Sequence, residues 1–333
     1  MLQFHIQPES DIPASKQLFD QIQFAIASGQ YPPSHRLPST RQLATITGLH
    51  RNTVSKVYRQ LEESGLVESM AGSGIYVKAH GHEGGQEELE TPVLDRLDRA
   101  KNSIKKSIDD LLNLGCSVSQ AKYLFLQEIE WRLRCSAKVL LSVPDRDLDA
   151  GQLMLEELEE ALEIPVQLVT LEELPQVLER GQCGTVVSNR YFIREILEQI
   201  DPQNVRVIPI DIYDYRKELE IVKNLPAEIC LGIVSLSAGT LGIVETILHS
   251  LRGNDLLIMT AQINDTYKLG ALVRSAHTII SDRVSFERVK QAVLEAREDL
   301  IRLPQVISSE NYISTKSIEI LKLELGLGGD LED

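Results

Sequence analysis

Apolar positions along this chain change rhythm twice, and each regime predicts a different kind of structure. Between residues 14 and 28, Leu18, Ile22, Ala25 and Ile26 recur at helical spacing, and Gly29 with Pro32-Pro33 closes the run. One helix face would carry all four. From residue 39 two shorter helical patterns meet at Gly48. In the second, Val54, Val57, Tyr58 and Leu61 fall at i, i+3, i+4 and i+7, which leaves Arg51, Asn52, Ser55, Lys56 and Arg59 pointing away from the stripe. The spacing predicts a buried stripe beneath a polar, basic face. Pro38 precedes Ser39-Thr40-Arg41-Gln42, a capping box in which the Ser39 hydroxyl accepts from the Gln42 amide and the Gln42 side chain reaches back. That cap leaves Thr40 and Arg41 near a positive helix end, where phosphate is welcome. Residues 66–77 then alternate about Ala71-Gly72-Ser73-Gly74, the pattern of a β-hairpin with a glycine turn.

The rhythm changes after residue 79. Residues 80–92 have linker composition, with His80-Gly81-His82-Glu83-Gly84-Gly85 ahead of Gln86-Glu87-Glu88. The H-x-H has no third ligand placed to complete a metal site, so a solvated linker is expected there. Over 93–135, Leu94, Leu97, Lys101, Ile104, Ile108 and Leu111 repeat at alternating spacings of three and four, a coiled-coil-like seam with one polar break. A second helix, opened by Ser117-x-x-Gln120, carries Ala121, Leu124, Phe125, Ile129 and Leu133 on one face that continues past Trp131. The pair either packs on its own chain or joins two chains. A homodimer is the stronger expectation, because helix-turn-helix readers need two heads to cover symmetric half-sites.

Residues 136–333 follow the last rhythm. Short β-branched runs at Val139–Val143, Val166–Thr170, 185–188, Val205–Ile210, Ile229–Ser235, 256–260 and 278–280 alternate with helical patterns at 153–162, 190–200, 241–251, 265–274 and 286–300. Such alternation predicts a mainly parallel sheet covered on both faces, built as one doubly wound domain or as two small lobes. The whole is an α+β multidomain chain: a winged helix-turn-helix head (1–79), a linker (80–92), a helical dimerisation segment (93–135) and an α/β effector or partner-docking domain (136–333).

Charge sharpens the picture. The 333 residues carry a formal net charge of −15, which taken as a whole argues against nucleic-acid binding. Yet residues 13–60 hold six Lys/Arg against one acid, and residues 1–85 are balanced, so the whole excess lies beyond them. An acidic body repels DNA everywhere except at a basic reading head, which depresses nonspecific binding. Cys116, Cys135, Cys183 and Cys230 are far apart with no C-x-x-C pair, no apolar run has the length of a membrane span, and Met1-Leu2-Gln3 opens no signal peptide. A reduced, cytoplasmic chain is expected.

Chemistry-bearing motifs are sparse. No P-loop, G-x-G-x-x-G, nucleophile elbow or metal cluster is present, so neither an enzyme nor a bound cofactor is expected. Ligands of parallel sheets bind beyond the carboxyl ends of strands. The candidates are Ser142, Asp145 and Arg146 after the first strand, Ser188, Asn189 and Arg190 after the third, and Ser235, Ser237, Gly239 and Thr240 after the fifth. Each of these Ser, Asn and Thr residues can equally be a helix cap.

The stretch Arg36-Leu37-Pro38-Ser39-Thr40-Arg41-Gln42-Leu43, with Arg51-Asn52-Thr53-Val54 and Gly65-Leu66-Val67, resembles the winged-helix domain of the GntR family of bacterial transcription regulators over residues 13–77. That resemblance implies that Arg36 and Arg41 touch the DNA backbone or a base edge, and that Arg51, Asn52 and Thr53 meet bases. Ser39, Thr40, Ser55, Lys56 and Arg59 complete the expected surface, with Gly72, Ser73 and Gly74 at the wing tip, where the turn either touches DNA or is only a turn. Two positions depart from the family pattern. His50 stands where Ser or Thr is common, so the cap of the reading helix looks weaker, and Ser55 stands where some members have Arg. The run Lys105-Lys106-Ser107-Ile108-Asp109-Asp110-Leu111-Leu112-Asn113-Leu114-Gly115 resembles the dimer-forming helices of the YtrA-like subgroup. At whole-chain scale the arrangement is similar to the cyanobacterial PlmA type of this family. That likeness implies a protein partner, the nitrogen-signalling protein PII acting through its adaptor PipX. The alternative is an α/β domain that binds a small metabolite. The aminotransferase-bearing MocR subgroup has similar head motifs, but the segment after residue 135 is short for an aminotransferase and offers no convincing lysine for pyridoxal phosphate.

Overall fold

The structure, a computed structural model, describes residues 4–79, 93–179, 184–200, 205–309 and 311–327. The expected linker at 80–92, Cys183 and the side chain of Leu94 lie outside the described residues. The head comprises α1 (Ala14–Ala27), α2 (Thr40–Thr47), α3 (Arg51–Glu63), β1 (Val67–Met70) and β2 (Gly74–Val77). Leu18, Ile22 and Ile26 of α1 meet Leu43 of α2 and Val54, Val57 and Leu61 of α3, all fully buried. Removing such side chains from water stabilises by about 1.5–3 kcal/mol each, so the predicted stripes are the core that holds the head together. The hairpin pairs Val67 with Val77 and Met70 with Gly74. The chain at 34–37 runs alongside it, with the Leu37 amide donating to the Ile75 carbonyl at 2.9 Å and the Val77 amide to His35 at 2.9 Å.

Two glutamine side chains on α1 act as an artificial strand for the segment before it. Gln21 accepts from the His5 amide at 3.1 Å and donates to the His5 carbonyl at 2.8 Å. Gln17 does the same for Gln7 at 3.0 and 3.1 Å. Both side chains are buried, and this pairing satisfies the amide groups they would otherwise bring into the core unpaired.

A helical hairpin follows, α4 (Val93–Asn113) and α5 (Val118–Ser136). A second capping box starts α5: Ser117 Oγ accepts from the Gln120 amide at 3.2 Å and Gln120 Oε1 accepts from the Ser117 amide at 2.7 Å. Ala121 and Cys135 are buried, and α5 lies against part of the sheet that comes next.

That sheet and its successor are two lobes with one topology. The first contains β3 (Val139–Val143), α6 (Leu148–Leu162), β4 (Val166–Thr170), α7 (Leu174–Glu179), β5 (Gly184–Asn189), α8 (Ile193–Gln199) and β6 (Val205–Ile210), in parallel order β4-β3-β5-β6. The second contains α9 (Arg216–Asn224), β7 (Ile229–Ser235), α10 (Ala238–Arg252), β8 (Leu256–Gln262), α11 (Thr266–Ser275), β9 (Thr278–Ser281), α12 (Arg283–Glu295) and β10 (Gln305–Ser308), in parallel order β10-β9-β7-β8. Both faces of β7 are covered: Cys230 and Val234 pack toward α11 and α12, while Leu231 and Ile233 pack toward α9 and α10. This is why the strand reads as a continuous apolar run rather than an alternating one. A last helix, α13 (Thr315–Leu325), returns to the first lobe and buries Leu321 and Leu325 there.

The chain passes between lobes at residues 211–215 and again at 309–314, and the two crossings pair. Ile212 bridges Ile313, the Tyr213 amide donates to the Tyr312 carbonyl at 2.8 Å, and the Ser314 amide to Asp211 at 2.9 Å. Carboxylates from α6 tie the lobes together. Glu157 accepts from the amides of Tyr312 and Ile313, Asp149 accepts from Gln262 at 3.2 Å, and Glu160 pairs with Arg283 at 2.9 Å. The head is seated on the crossing: Phe24 and Ala27 join the apolar core of the first lobe, and the Ile212 amide donates to the Ala27 carbonyl at 2.9 Å.

Several elements differ from the sequence-based expectation. α6 begins at Leu148 and α10 at Ala238, ahead of the apolar repeats that were their signal, while α8 begins only at Ile193. The delay has a local cause: the Asn189 side chain accepts from the Tyr191 amide at 3.0 Å and holds residues 189–192 as a turn. α12 stops at Glu295 because a 3₁₀ turn at Arg297–Asp299 follows. The unexpected elements are α7, α9, β10 and α13. The first is a single short helix with Pro175 in its first turn, and β10 is a four-residue edge strand.

Candidate nucleic-acid interface

The reading surface is built on the order of the head. The Ser39 cap forms as predicted, with the Gln42 amide donating to Ser39 Oγ at 3.3 Å and the Ser39 amide to Gln42 Oε1 at 2.9 Å. Gly48, at φ +70°, ends α2 in the left-handed conformation that lets α3 start three residues later. His50 then caps α3 through its ring: the Asn52 amide donates to His50 Nδ1 at 3.3 Å. An imidazole nitrogen therefore does the work of the hydroxyl that is missing from this position. The Tyr58 hydroxyl donates to the Pro38 carbonyl, tying the buried side of α3 to the start of α2. Burial pushes that phenol above its ordinary pKa, with Tyr31 adding to the shift, so it remains a donor.

On the opposite side of α3, Arg51, Asn52, Ser55, Lys56 and Arg59 are exposed, and Thr53 is half-buried. Arg41 is exposed in the first turn of α2, beside half-buried Thr40. Arg36 lies at the base of the wing, where its Nε would be 3.0 Å from a Cβ on Gly74. Ser73 at the wing tip shares a hydrogen bond of 2.7 Å with the Tyr76 hydroxyl, and Gly72 beside it is exposed. Among the described residues no carboxylate lies within ion-pair distance of Arg36, Arg41, Arg51 or Lys56; Arg59 pairs with Glu63 at 3.5 Å, both exposed. Arg36, Arg41, Arg51 and Lys56 are thus exposed cations of the head without a carboxylate partner among the described residues, and Arg51 and Asn52 at the leading end of α3 carry side-chain types able to bond guanine and adenine edges.

The candidates beyond the strands of the lobes divide into internal and cleft positions. Ser142 is fully buried with no hydrogen-bond partner for its hydroxyl among the described residues, and Ser188 Oγ donates to the Ser142 carbonyl at 2.6 Å. Arg190 is buried against Asp211 at 2.5 Å. These three serve the interior of the first lobe and its crossing. Ser237 caps α10, accepting from the Thr240 amide at 3.1 Å. Asn189, Ser237, Gly239, Thr240 and Arg146 do come together, on one cleft between the lobes. Sequence reasoning did not anticipate that Asp147, Phe192 and Tyr312 share it; only their places just after strands and at a lobe crossing could have signalled them. Among the described residues no group of three or more His, Cys, Asp or Glu could hold a metal ion, and no helix is long and apolar enough to cross a membrane.

A helix-turn-helix with a hairpin wing and an unpaired cationic face defines a winged-helix DNA-binding protein. Comparison with known proteins agrees. The family of bacterial regulatory proteins of the gntR type matches residues 14–77, and the C-terminal domain of cyanobacterial PlmA-type GntR regulators matches residues 217–310. The second match spans the second lobe and stops before the chain returns to the first. The HTH-type transcriptional repressor YtrA of Bacillus subtilis (strain 168) is 31% identical over 134 residues, 40% of this chain and 92% of that protein. The HTH-type transcriptional regulator Rv1152 of Mycobacterium tuberculosis is 38% identical over 71 residues, covering 20% of this chain and 59% of its own. A solved YtrA from Sulfolobus acidocaldarius is 26% identical, covering 38% of this chain and 95% of that one, with a TM-score of 0.22. The chain belongs to the GntR family of DNA-binding transcription regulators, as a YtrA-like member with a PlmA-type C-terminal domain.

Proposed function

We propose that this regulator works as a cytoplasmic homodimer that reads a symmetric operator with two heads and senses a signalling partner through its α/β lobes. The observation that carries the dimer is the apolar surface of the helical hairpin. Leu97 and Ile104 of α4 and Leu124, Ile129 and Leu133 of α5 are all exposed in the single chain, Ile104 at 54%. Several large apolar side chains exposed on one helical hairpin are the mark of an association surface. The YtrA match of 134 residues exceeds the length of the head, which supports the same reading of residues 93–135 as the dimerisation segment. With residues 80–92 as linker, each head of residues 1–79 can meet one half-site while residues 136–333 form the effector domain.

Within this reading Arg36, Thr40, Arg41, Lys56 and Arg59 meet phosphates, assisted by Ser39 and the wing tip at Gly72, Ser73 and Gly74. Arg51, Asn52, Thr53 and Ser55 meet bases. The PlmA-type lobe supports a signalling partner of the PII and PipX kind, and the acidic composition beyond residue 85 suits a basic partner surface. A second reading, a metabolite-sensing effector, is favoured by the interlobe cleft. Sedimentation of the purified chain, followed by capture of PII and PipX on the immobilised full-length protein, tests the proposal. A monomer at micromolar concentration would overturn the dimer, and failure of PII and PipX to bind would overturn the partner.

A further inference from the structure

The reading helix starts on a group that can change its charge. His50 holds three consecutive amides of the first turn of α3: its carbonyl accepts from Thr53 at 2.9 Å and from Val54 at 3.2 Å, and its ring Nδ1 accepts from Asn52 at 3.3 Å. Five other helices start on side chains that accept in the same way, from Ser39, Ser117, Ser237, Asp265 and Asp282. A hydroxyl or an ordinary carboxylate keeps its charge across neutral pH, whereas an imidazole changes charge between about pH 5 and 8. The His50 side chain is exposed, so protons reach it freely.

A ring nitrogen accepts a hydrogen bond only when it carries no proton, so accepting at Nδ1 places the neutral ring's proton on Nε2. A second proton has only Nδ1 to occupy. There it turns the acceptor into a donor that faces the Asn52 amide, and it sets a positive charge at the positive end of a helix. The neighbouring elements offer little to offset that charge. Along α3, Arg51, Lys56 and Arg59 come before the first carboxylates, Glu62 and Glu63, which begin about three turns further on. Of the elements packed on α3, α2 carries only Arg41, α1 carries Lys16 and Asp20 paired with each other at 2.6 Å, and β1 carries Glu68. Among the described residues the His50 ring makes one hydrogen bond, the one to Asn52, and no ion pair. Arg51 and Asn52 are the first two residues of α3, so the turn that depends on this cap is the one that carries them.

We propose that His50 is a positioning residue for operator reading, and that its protonation lowers the discrimination between operator and random DNA. The neutral ring fixes the turn that aims Arg51 and Asn52. The doubly protonated ring releases the Asn52 amide and lets that turn fray. Its charge meanwhile attracts phosphates of any sequence, so nonspecific binding holds or rises while base reading weakens. Selectivity is then greatest above neutral pH and declines on acidification. This rests on the base-reading role of Arg51 and Asn52 proposed above.

The test measures the affinity of the full-length protein for an operator recovered by genomic selection and for a random duplex of the same length, at pH 8 and pH 6 and constant ionic strength. The operator-to-random ratio cancels the general attraction of a histidinium for DNA. Loss of a cap side chain weakens a helix start by a factor of about five, so the ratio should fall about fivefold at pH 6. His50→Ser, which keeps a capping hydroxyl, should hold the high ratio at both pH values. His50→Ala, which has no acceptor, should show the low ratio at both, with circular dichroism checking that each protein stays folded. A parent ratio that does not move with pH, a His50→Ser ratio that falls as the parent's does, or a His50→Ala ratio as high as the parent's at pH 8 would overturn the proposal. Absence of any operator preference at pH 8 would instead overturn the base-reading role itself, a result distinct from a preference that is present and flat with pH.

Discussion

Arg36→Ala isolates the electrostatic part of operator binding. Arg36 is exposed, has no carboxylate partner among the described residues, and lies against Gly74 at the wing base, so its removal breaks no internal ion pair. Each phosphate contact contributes about 0.9 to the slope of log K against log salt. A dimer loses two such contacts, so the slope should fall by about 1.8, and the gap between parent and variant should narrow by about twelvefold between 50 and 200 mM salt. Fluorescence anisotropy on an operator and on random duplex, across that range, measures both quantities. A phosphate contact weakens both duplexes alike. An unchanged slope, or a loss confined to the operator, would refute the assignment.

Three further substitutions probe separate layers of the account. Arg51→Ala should cost about 1–3 kcal/mol on the operator and relax preference at one base position, as for a base-reading arginine; equal losses on every duplex would contradict that role. Ile104→Asp should be almost silent if α4 is solvated, since exposed substitutions usually change stability by within about 0.5 kcal/mol, but should separate the chains if the seam is intermolecular. Sedimentation that finds an intact dimer in this variant would remove α4 from the interface. Gly232→Ala places a Cβ 2.5 Å from Leu272 Cδ2 where α11 crosses β7. The overpacking, about 1–3 kcal/mol, should outweigh the roughly 0.4–1 kcal/mol that loss of a flexible glycine gains, so urea unfolding should begin earlier; a later midpoint would contradict the close packing.

The head was legible in the sequence because its signals are local. Val54, Val57, Tyr58 and Leu61 declare a helix face by spacing alone, and Ser39 with Gln42 declares its neighbour's cap. His50 was harder, since a ring nitrogen acting as a cap follows from no common propensity rule. In the lobes, strands buried on both faces, such as Val139–Val143, stood out as unbroken apolar runs. Helix starts did not, because Gly151 in α6 and Gly239 and Gly242 in α10 blur the apolar repeat. The division into two lobes depends on which strands pair. β6 ends one sheet and β7 begins the next, and no residue between them marks the change except the short bridge at Ile212. Asp147 escaped as a cleft residue for the same reason: it meets Gly239 only through the packing of α6 against α10.

The central claim is that a small cationic head selects particular DNA while the acidic remainder of the chain discourages other contacts. Its most direct test is selection from sheared genomic DNA by the purified full-length protein, with excess random duplex at moderate ionic strength, and sequencing of what remains bound. The account predicts enrichment of a few fragments that share a two-fold repeat with half-sites about one helical turn apart, or a multiple of it. A bound fraction indistinguishable from the input would contradict it.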